Sequence, residues 1–313
     1  MGRRGGRKKE FVDVHGIVLL DKPAGITSNQ ALQKVRHLFK ANKAGHTGNL
    51  DPMATGLLPC CFGDATKVAD LMINADKAYL ATAVLGARTD TGDATGTIEM
   101  EKSVPDFQAR QIQQACDELT GEIYQTPPMY SALHHQGRRL YELAREGIEV
   151  KRPARKITIH SFDYVAIETD TQPLTVSFKV HCSKGTYIRT LIEDWAEKMD
   201  TLAHLSALHR TQSGVFDDKQ MHSLADLQAA ENPHQFLLTA DAALTEYPLI
   251  KLNPQQARDL IHGKQTAAEY SNGLHRLYDE AGLFMGMGKV FNQSLRVHKL
   301  FMKSYQQSRT STD

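Results

Sequence analysis

Between Leu174 and Met199 the spacing of apolar residues changes period, and this restricts the fold more than any other feature of the chain. Leu174, Val176, Phe178, Val180 and Cys182 alternate with polar residues. That alternation predicts a half-buried strand. Ile188, Leu191, Ile192, Trp195 and Met199 then fall at helical spacing, so a helix follows. Tyr187 and Arg189 therefore stand at a strand-to-helix junction, a place from which side chains are aimed into a cleft. Leu32, Val35 and Phe39 mark another helix, and Ile112, Ala115, Cys116 and Leu119 a third. Residues 12–20 and 77–86 read as strands, the second by its β-branched and aromatic content. Near the end, a short helix is expected at 255–261 and strands around 282–290 and 295–300.

With 313 residues the chain can bury a sizeable core, enough for one large domain and a small one. Hydrophobic residues at 41% and charged residues at 23% are ordinary for a globular protein. No apolar run approaches the roughly 18 residues a membrane span needs. The start, Met1-Gly2-Arg3-Arg4-Gly5-Gly6-Arg7-Lys8-Lys9-Glu10, lacks the apolar core of a signal peptide. The chain therefore reads as cytoplasmic, with residues 1–10 a disordered basic tail. Residues 301–313 read as a disordered tail as well. Cys60, Cys61, Cys116 and Cys182 show no C-x-x-C spacing and are expected to be small buried hydrophobes. A formal net charge of +1 makes no bulk case for nucleic acid, so any such case rests on local clusters.

One such cluster lies at 138–156, where Arg138, Arg139, Arg145, Lys151, Arg152, Arg155 and Lys156 face only Glu142, Glu146 and Glu149. Tyr130 and Tyr141 lie in or near it. Cations for phosphates and rings for bases make an RNA footprint, although a solvated amphipathic helix explains the same residues. A second concentration is Gly45-His46-Thr47-Gly48-Asn49-Leu50-Asp51-Pro52-Met53-Ala54-Thr55-Gly56, with three glycines, two hydroxyls, an imidazole and a carboxylate. Asp51 reads as a helix N-cap, with Pro52 in the first turn and Ala54 onward helical. Thr27 and Gln30 are spaced as a capping box after the Pro23-Ala24-Gly25 turn. Lys22, before that turn, reads either as a phosphate contact or as a solvated turn lysine. Thr89 to Gly96 is a polar loop that lacks the calcium-loop pattern. Metal binding at His46 and Asp51 lacks further ligands at usable spacing. Walker, dinucleotide and G-x-S-x-G patterns are missing. What remains is a lone carboxylate in a Gly-rich stretch, with candidate Arg and Tyr partners.

The 45–56 stretch, continued by Leu57-Leu58-Pro59, resembles the signature of the TruB family of tRNA pseudouridine synthases, which the Cbf5/dyskerin enzymes share. D-K-P-x-G-x-T-S at 21–28, T-D-T-x-D-x-x-G at 89–96, and C-S-K-G-T-Y-I-R-T-L at 182–191 resemble the family too. So do Y-S-A-L at 130–133 and G-R-R-L-Y-E-L-A-R-E-G at 137–147. The resemblance is strong over residues 12–210 and weak beyond. It implies an α+β pseudouridine synthase fold, a large mostly antiparallel mixed sheet flanked by helices. The catalytic domain would cover 11–248, with a thumb-like RNA-binding insertion at about 124–156. A small PUA-like β domain would cover 249–313.

The resemblance also implies roles. Asp51 would be catalytic, Arg189 its partner, and Tyr79 would stack on the target base. Tyr187 and Leu208 would pack on the flipped uracil, and His46 on a neighbouring nucleotide. Asp93 would contact the flipped nucleotide. Arg138, Arg139, Arg145, Lys151 and Arg152 would grip backbone. The implied reaction makes pseudouridine in the tRNA T loop, at conventional position 55, with no cofactor or metal. Its partner would be the T-arm stem-loop, with no membrane and no obligate protein partner, and the protein would be a monomer. Two alternatives differ in class. A guide-RNA-dependent Cbf5-like subunit is disfavoured by the thumb and the short C-terminal region. A non-catalytic tRNA-binding or folding protein is disfavoured by Asp51, Tyr79 and Arg189 together.

Overall fold

The computed structural model describes residues 11–168 and 173–310. The basic tail at 1–10 lies outside them. The chain divides into two compact units, one made of residues up to 51, 57–73 and from 214 onward, the other of 52–56 and 74–213.

In the first unit, strand Gly16–Lys22 runs parallel to His222–Ser223, and Ala44–His46 runs antiparallel to the end of strand Thr55–Phe62. Helix Ser28–Leu38 carries the expected capping box: the Thr27 hydroxyl accepts the Gln30 N–H at 3.1 Å, and the Gln30 side chain accepts the Thr27 N–H at 2.8 Å. Its Leu32 and Val35, with Phe39 just beyond, pack on Val18, Leu20, Leu58, Cys60 and Phe62. Ile17, Leu19, Leu57 and Cys61 face a second core that includes Phe301. The first strand starts later than residue 12, where Val12 makes only an isolated bridge to Ala41.

Two expectations fail. The segment after Asp51 is not helical; the chain enters strand Thr55–Phe62. Leu57 to Phe62 are buried without a break, so the two-residue alternation that marks a strand is missing from the sequence. At Gly56, φ is +95° and a Cβ would collide with the Arg210 backbone, so only glycine fits the strand's entry. The second failure is the C-terminal tail. Residues 302–310 form helix Met302–Thr310. Phe301 and Tyr305 are buried four residues apart, and the Asp64 carboxylate accepts the Lys303 and Ser304 N–H groups at 2.8 and 3.2 Å. A cap supplied from 239 residues away replaces the local one that the sequence lacks.

Residues 249–300 carry a five-stranded sheet in the order Leu249–Lys251, Gly273–Tyr278, Phe284–Phe291, Ser294–Leu300, Thr266–Ala267. Helix Pro254–Ile261 packs on it through Ala257 and Leu260. The sequence showed this helix and the last two long strands; the two short strands and Gly273–Tyr278 went unread.

The second unit is built on a sheet in the order Gly121–Gln125, Arg155–Glu168, Thr175–Cys182, Lys77–Leu85, Ala203–Ser213, antiparallel throughout. Thr55 and Gly56 add a parallel pairing to His209 and Arg210, so this large sheet is mixed. Helices Ala109–Asp117 and Ile188–Lys198 flank it. Trp195 meets Phe178 edge-on with ring centroids 4.8 Å apart, and its indole N–H donates to the Ile112 carbonyl at 3.3 Å. Val176, Phe178, Val180 and Cys182 are all buried, as their alternation predicts.

All four cysteines are free and buried. Burial pushes the Cys61 and Cys116 thiols up to about 12 and Cys182 to about 11, so they are inert at neutral pH. Among the described residues, no helix is long and apolar enough to cross a membrane.

Candidate functional site

Lys22, His46 and Asp51 belong to the first unit. Ser28 opens the helix after the Pro23-Ala24-Gly25 turn, and its hydroxyl clasps Leu50 twice, accepting the backbone N–H at 2.7 Å and donating to the carbonyl at 3.0 Å. The Thr47 N–H donates to the Pro59 carbonyl at 3.3 Å. The half-buried Asp51 therefore leaves a backbone fixed on its N-terminal side. The sequence displayed Ser28 only as part of a turn motif; its partner is a backbone 22 residues away. Ser28→Ala would strand both polar groups of the buried Leu50. The expected cost is about 1–3 kcal/mol, read as a lower midpoint in urea unfolding; an unchanged midpoint would mean the clasp is not structural. Lys22 corrects the reading as a solvated turn lysine: its side chain is fully buried and its ammonium donates to the Pro23 carbonyl at 2.8 Å.

The other candidates belong to the second unit. Tyr79 pairs with Val180 on one side and Arg210 on the other; Ala81 pairs with Phe178 and Leu208. Directly paired residues share a face of the sheet, so Tyr79 and Leu208 are diagonal neighbours on the face that helix Ile188–Lys198 covers. Both are buried. Lys77 shares this face at the strand's start; burial, then the Arg210 charge, lowers its ammonium to about 8.

Tyr187 is the N-cap of that helix. The buried Gln125 side chain clasps its backbone, accepting the N–H at 2.7 Å and donating to the carbonyl at 3.1 Å. No sequence pattern pointed to Gln125. Arg189, in the helix's first turn, is 5% exposed. Its Nη1 donates to the Thr91 carbonyl at 2.6 Å and its Nη2 to the Tyr130 carbonyl at 2.8 Å. The Asp93 carboxylate lies 3.6 Å from Nη1.

Asp93 is tied into its own loop. It is 5% exposed, and its Oδ1 accepts from the Thr95 N–H at 2.9 Å, the Thr95 hydroxyl, and the Thr91 hydroxyl at 3.0 Å. It therefore folds its own loop and faces Arg189 with its other oxygen. The loop is sewn to strand Ala203–Ser213, since the Leu205 N–H donates to the Gly92 carbonyl and the Ala94 N–H to the Leu205 carbonyl, at 3.0 and 2.8 Å. Gly92 has φ +72°, and a Cβ there would lie 3.0 Å from Glu193 Oε1. Burial raises the Glu193 carboxyl to about 7 against the pull of Arg88, so two acidic groups and a buried guanidinium share this corner.

In the basic segment, helix is confined to Leu140–Arg145. Gly147, at φ +72°, ends it, with the Gly147 and Ile148 N–H groups returning to the Ala144 and Leu143 carbonyls. Arg138 pairs with Glu146, and Arg152 with Glu149 at 3.1 Å. Arg139 donates to the Ala132 carbonyl at 3.3 Å, and Arg145 lies over the Tyr141 ring, 5.5 Å from its centroid. Lys151 is exposed. Several of these charges thus have local partners, as in a solvated face, while Arg138, Arg145 and Lys151 remain open to solvent.

From His46 onward, the site residues lie within regions that match family models. Residues 36–188 match the family model described as TruB family pseudouridylate synthase (N terminal domain). Residues 189–245 match the tRNA pseudouridylate synthase B C-terminal domain, and 248–301 the model described as Pseudouridine synthase II TruB, C-terminal. The chain is 46% identical over 291 residues to the tRNA pseudouridine synthase B of Chromohalobacter salexigens, covering 91% of this chain and 93% of the relative. It is also 46% identical over 292 residues to the protein of that name from Neisseria meningitidis serogroup A, covering 92% of this chain and 94% of the relative. Among solved structures, a chain from a Cbf5-Nop10-Gar1 complex superposes with TM-score 0.70 at 26% identity, covering 94% of this chain and 86% of the other.

Proposed function

The chain belongs to the TruB family of pseudouridylate synthases, and on that premise we propose that it converts uridine to pseudouridine in the T loop of tRNA, at conventional position 55. The observation that carries the reading is the mounting of Asp51, a carboxylate in the family's signature stretch whose preceding residue is clasped at both backbone groups by Ser28. A reacting carboxylate needs such a mount, because small misplacements cost large factors in rate.

The chemistry is an isomerisation. The bond from uracil N1 to ribose C1′ breaks, the base rotates while bound, and C5 bonds to C1′. N1 gains a proton and C5 loses one. Atoms and electrons balance within the substrate, so the protein's own side chains suffice. Asp51 acts as nucleophile, or as base at the ribose 2′ position. In the role that the family signature implies for it, Arg189 would hold it ionised and aimed. The target uridine must leave its stack, at a cost of roughly a few kcal/mol. Tyr79, Tyr187 and Leu208 offset this by stacking and packing, and His46 packs on a neighbouring nucleotide. We place the catalytic domain at 11–248 and the PUA-like domain at 249–313. The protein acts in the cytoplasm as a monomer on the T arm, with no obligate protein partner.

Carbodiimide modification and primer extension on a treated tRNA transcript test the position. One new stop, at the T-loop uridine, is expected. A stop elsewhere, or one that appears only when guide RNA or protein partners are added, would replace this reading with that of a guide-dependent subunit. The likeness to a chain from a multi-protein complex is the observation that keeps the second reading in view.

The basic insertion has its own expected outcome. Replacing Arg138, Arg139 and Arg145 with Ala should weaken tRNA binding and flatten its dependence on salt. The slope of log K against log salt should fall by about 0.7–0.9 for each phosphate that the protein ceases to neutralise. Titration at several salt concentrations reads this directly. An unchanged slope would make these arginines a solvated face.

A further inference from the structure

The basic segment is joined to Arg189 by a short run of hydrogen bonds inside the second unit. Helix Leu140–Arg145 begins with the Leu140 N–H on the Leu133 carbonyl at 2.8 Å and the Tyr141 N–H on the Ser131 carbonyl at 3.1 Å. The Arg139 guanidinium holds the Ala132 carbonyl between them. One residue upstream, the Tyr130 carbonyl accepts Arg189 Nη2 at 2.8 Å. The Tyr130 hydroxyl donates to Asp90 Oδ2 at 3.4 Å, and Asp90 Oδ1 accepts the Thr97 N–H at 2.7 Å. Asp90 is thus in the same loop whose Thr91 carbonyl takes Arg189 Nη1. Arg189 therefore bridges two segments, and Tyr130 touches both the arginine and the loop.

We propose that Tyr130 is a positioning residue that couples the insertion's grip on RNA to the orientation of Arg189. The proposal rests on the reading that Arg189 serves Asp51 in pseudouridine formation. Lifting residues 130–133 would strip a carbonyl from a buried guanidinium, and seating them restores it. A buried cation's hydrogen bonds are strong and directional, so this seat fixes where the planar fork points. The Ser131 hydroxyl is buried with no hydrogen-bond partner among the described residues. The Tyr130–Asp90 bond is long and joins a half-buried hydroxyl to an exposed carboxylate, which suits a contact that opens and closes.

A double-mutant cycle on the full chain tests this: wild type, Tyr130→Phe, Arg189→Lys and the double variant, each assayed for single-turnover rate on saturating tRNA and for tRNA affinity. Tyr130→Phe keeps the ring and removes only the hydroxyl. It should slow single turnover about fivefold, with affinity within about twofold of wild type, and should slow Arg189→Lys no further. A wild-type rate, or the same slowing in both backgrounds, would reduce Tyr130 to local structure and overturn the coupling. Asp51→Asn, run alongside, separates the two levels. If that variant stays active, the reading of the site fails; if it is inactive while Tyr130→Phe is additive with Arg189→Lys, only the coupling fails.

Discussion

Asp51→Asn is expected to bring pseudouridine formation below detection while tRNA affinity stays within about twofold of wild type. The substitution keeps the side chain's size and most of its hydrogen-bonding capacity. It removes the negative charge, and with it both roles open to Asp51: an amide neither attacks C1′ nor abstracts a proton. The fold should hold, because Ser28 clasps the Leu50 backbone and Thr47 bonds to Pro59 whatever the charge at residue 51. Single-turnover rate and equilibrium binding, measured on one preparation, separate the two effects. Residual turnover within about tenfold of wild type, a barrier change of only about 1.4 kcal/mol, would move the chemistry to another residue.

The next largest effect is expected at Arg189. A carboxylate in a cleft that excludes water tends to protonate, because burial disfavours its charged form, and a neighbouring guanidinium opposes this. Arg189→Lys keeps a charge but loses the planar, two-pronged geometry. It also loses the fork that now holds the Thr91 and Tyr130 carbonyls together. Arg189→Met loses charge and geometry alike, so it should be the slower of the two. If the guanidinium keeps Asp51 ionised, as proposed, the Met variant's rate should climb with pH more steeply than that of wild type. Both variants should fold, since Leu191, Ile192 and Trp195 anchor the helix independently. Single-turnover rate against pH for the three proteins decides the matter. A Met variant equal to wild type at neutral pH would show that Arg189 does not serve Asp51.

How much of this was legible in the sequence depended on how local each signal was. The strand at 175–182 and the helix at 188–198 could be read because each buries one face and so repeats at its own period. The capping box at Thr27 was readable because both partners lie within four residues. Strand Thr55–Phe62 was not, because burial on both faces erases the alternation. Helix Met302–Thr310 was not, because its cap is Asp64. At the site, residue types announced Asp51, Tyr79, Tyr187, Arg189 and Leu208 through motif likeness. Their supports stayed hidden, since Ser28 and Gln125 clasp backbone and Arg189 is held by two carbonyls. A carbonyl carries no signature of residue type. The burial of Lys22 and Asp93 was not legible either, because a polar residue in a motif looks solvent-facing until its neighbours in space are known.

The most direct measurement is tritium release from a tRNA transcript labelled at uracil C5, incubated with the purified chain alone. C5 must give up its hydrogen when it bonds to C1′, so each conversion frees one label. Wild type should release one tritium per tRNA with no guide RNA, protein partner or cofactor added, and Asp51→Asn should release none while still binding. A wild-type protein that binds the tRNA and releases nothing, or an Asp51→Asn variant that releases label at the wild-type rate, would contradict a pseudouridine synthase working through Asp51.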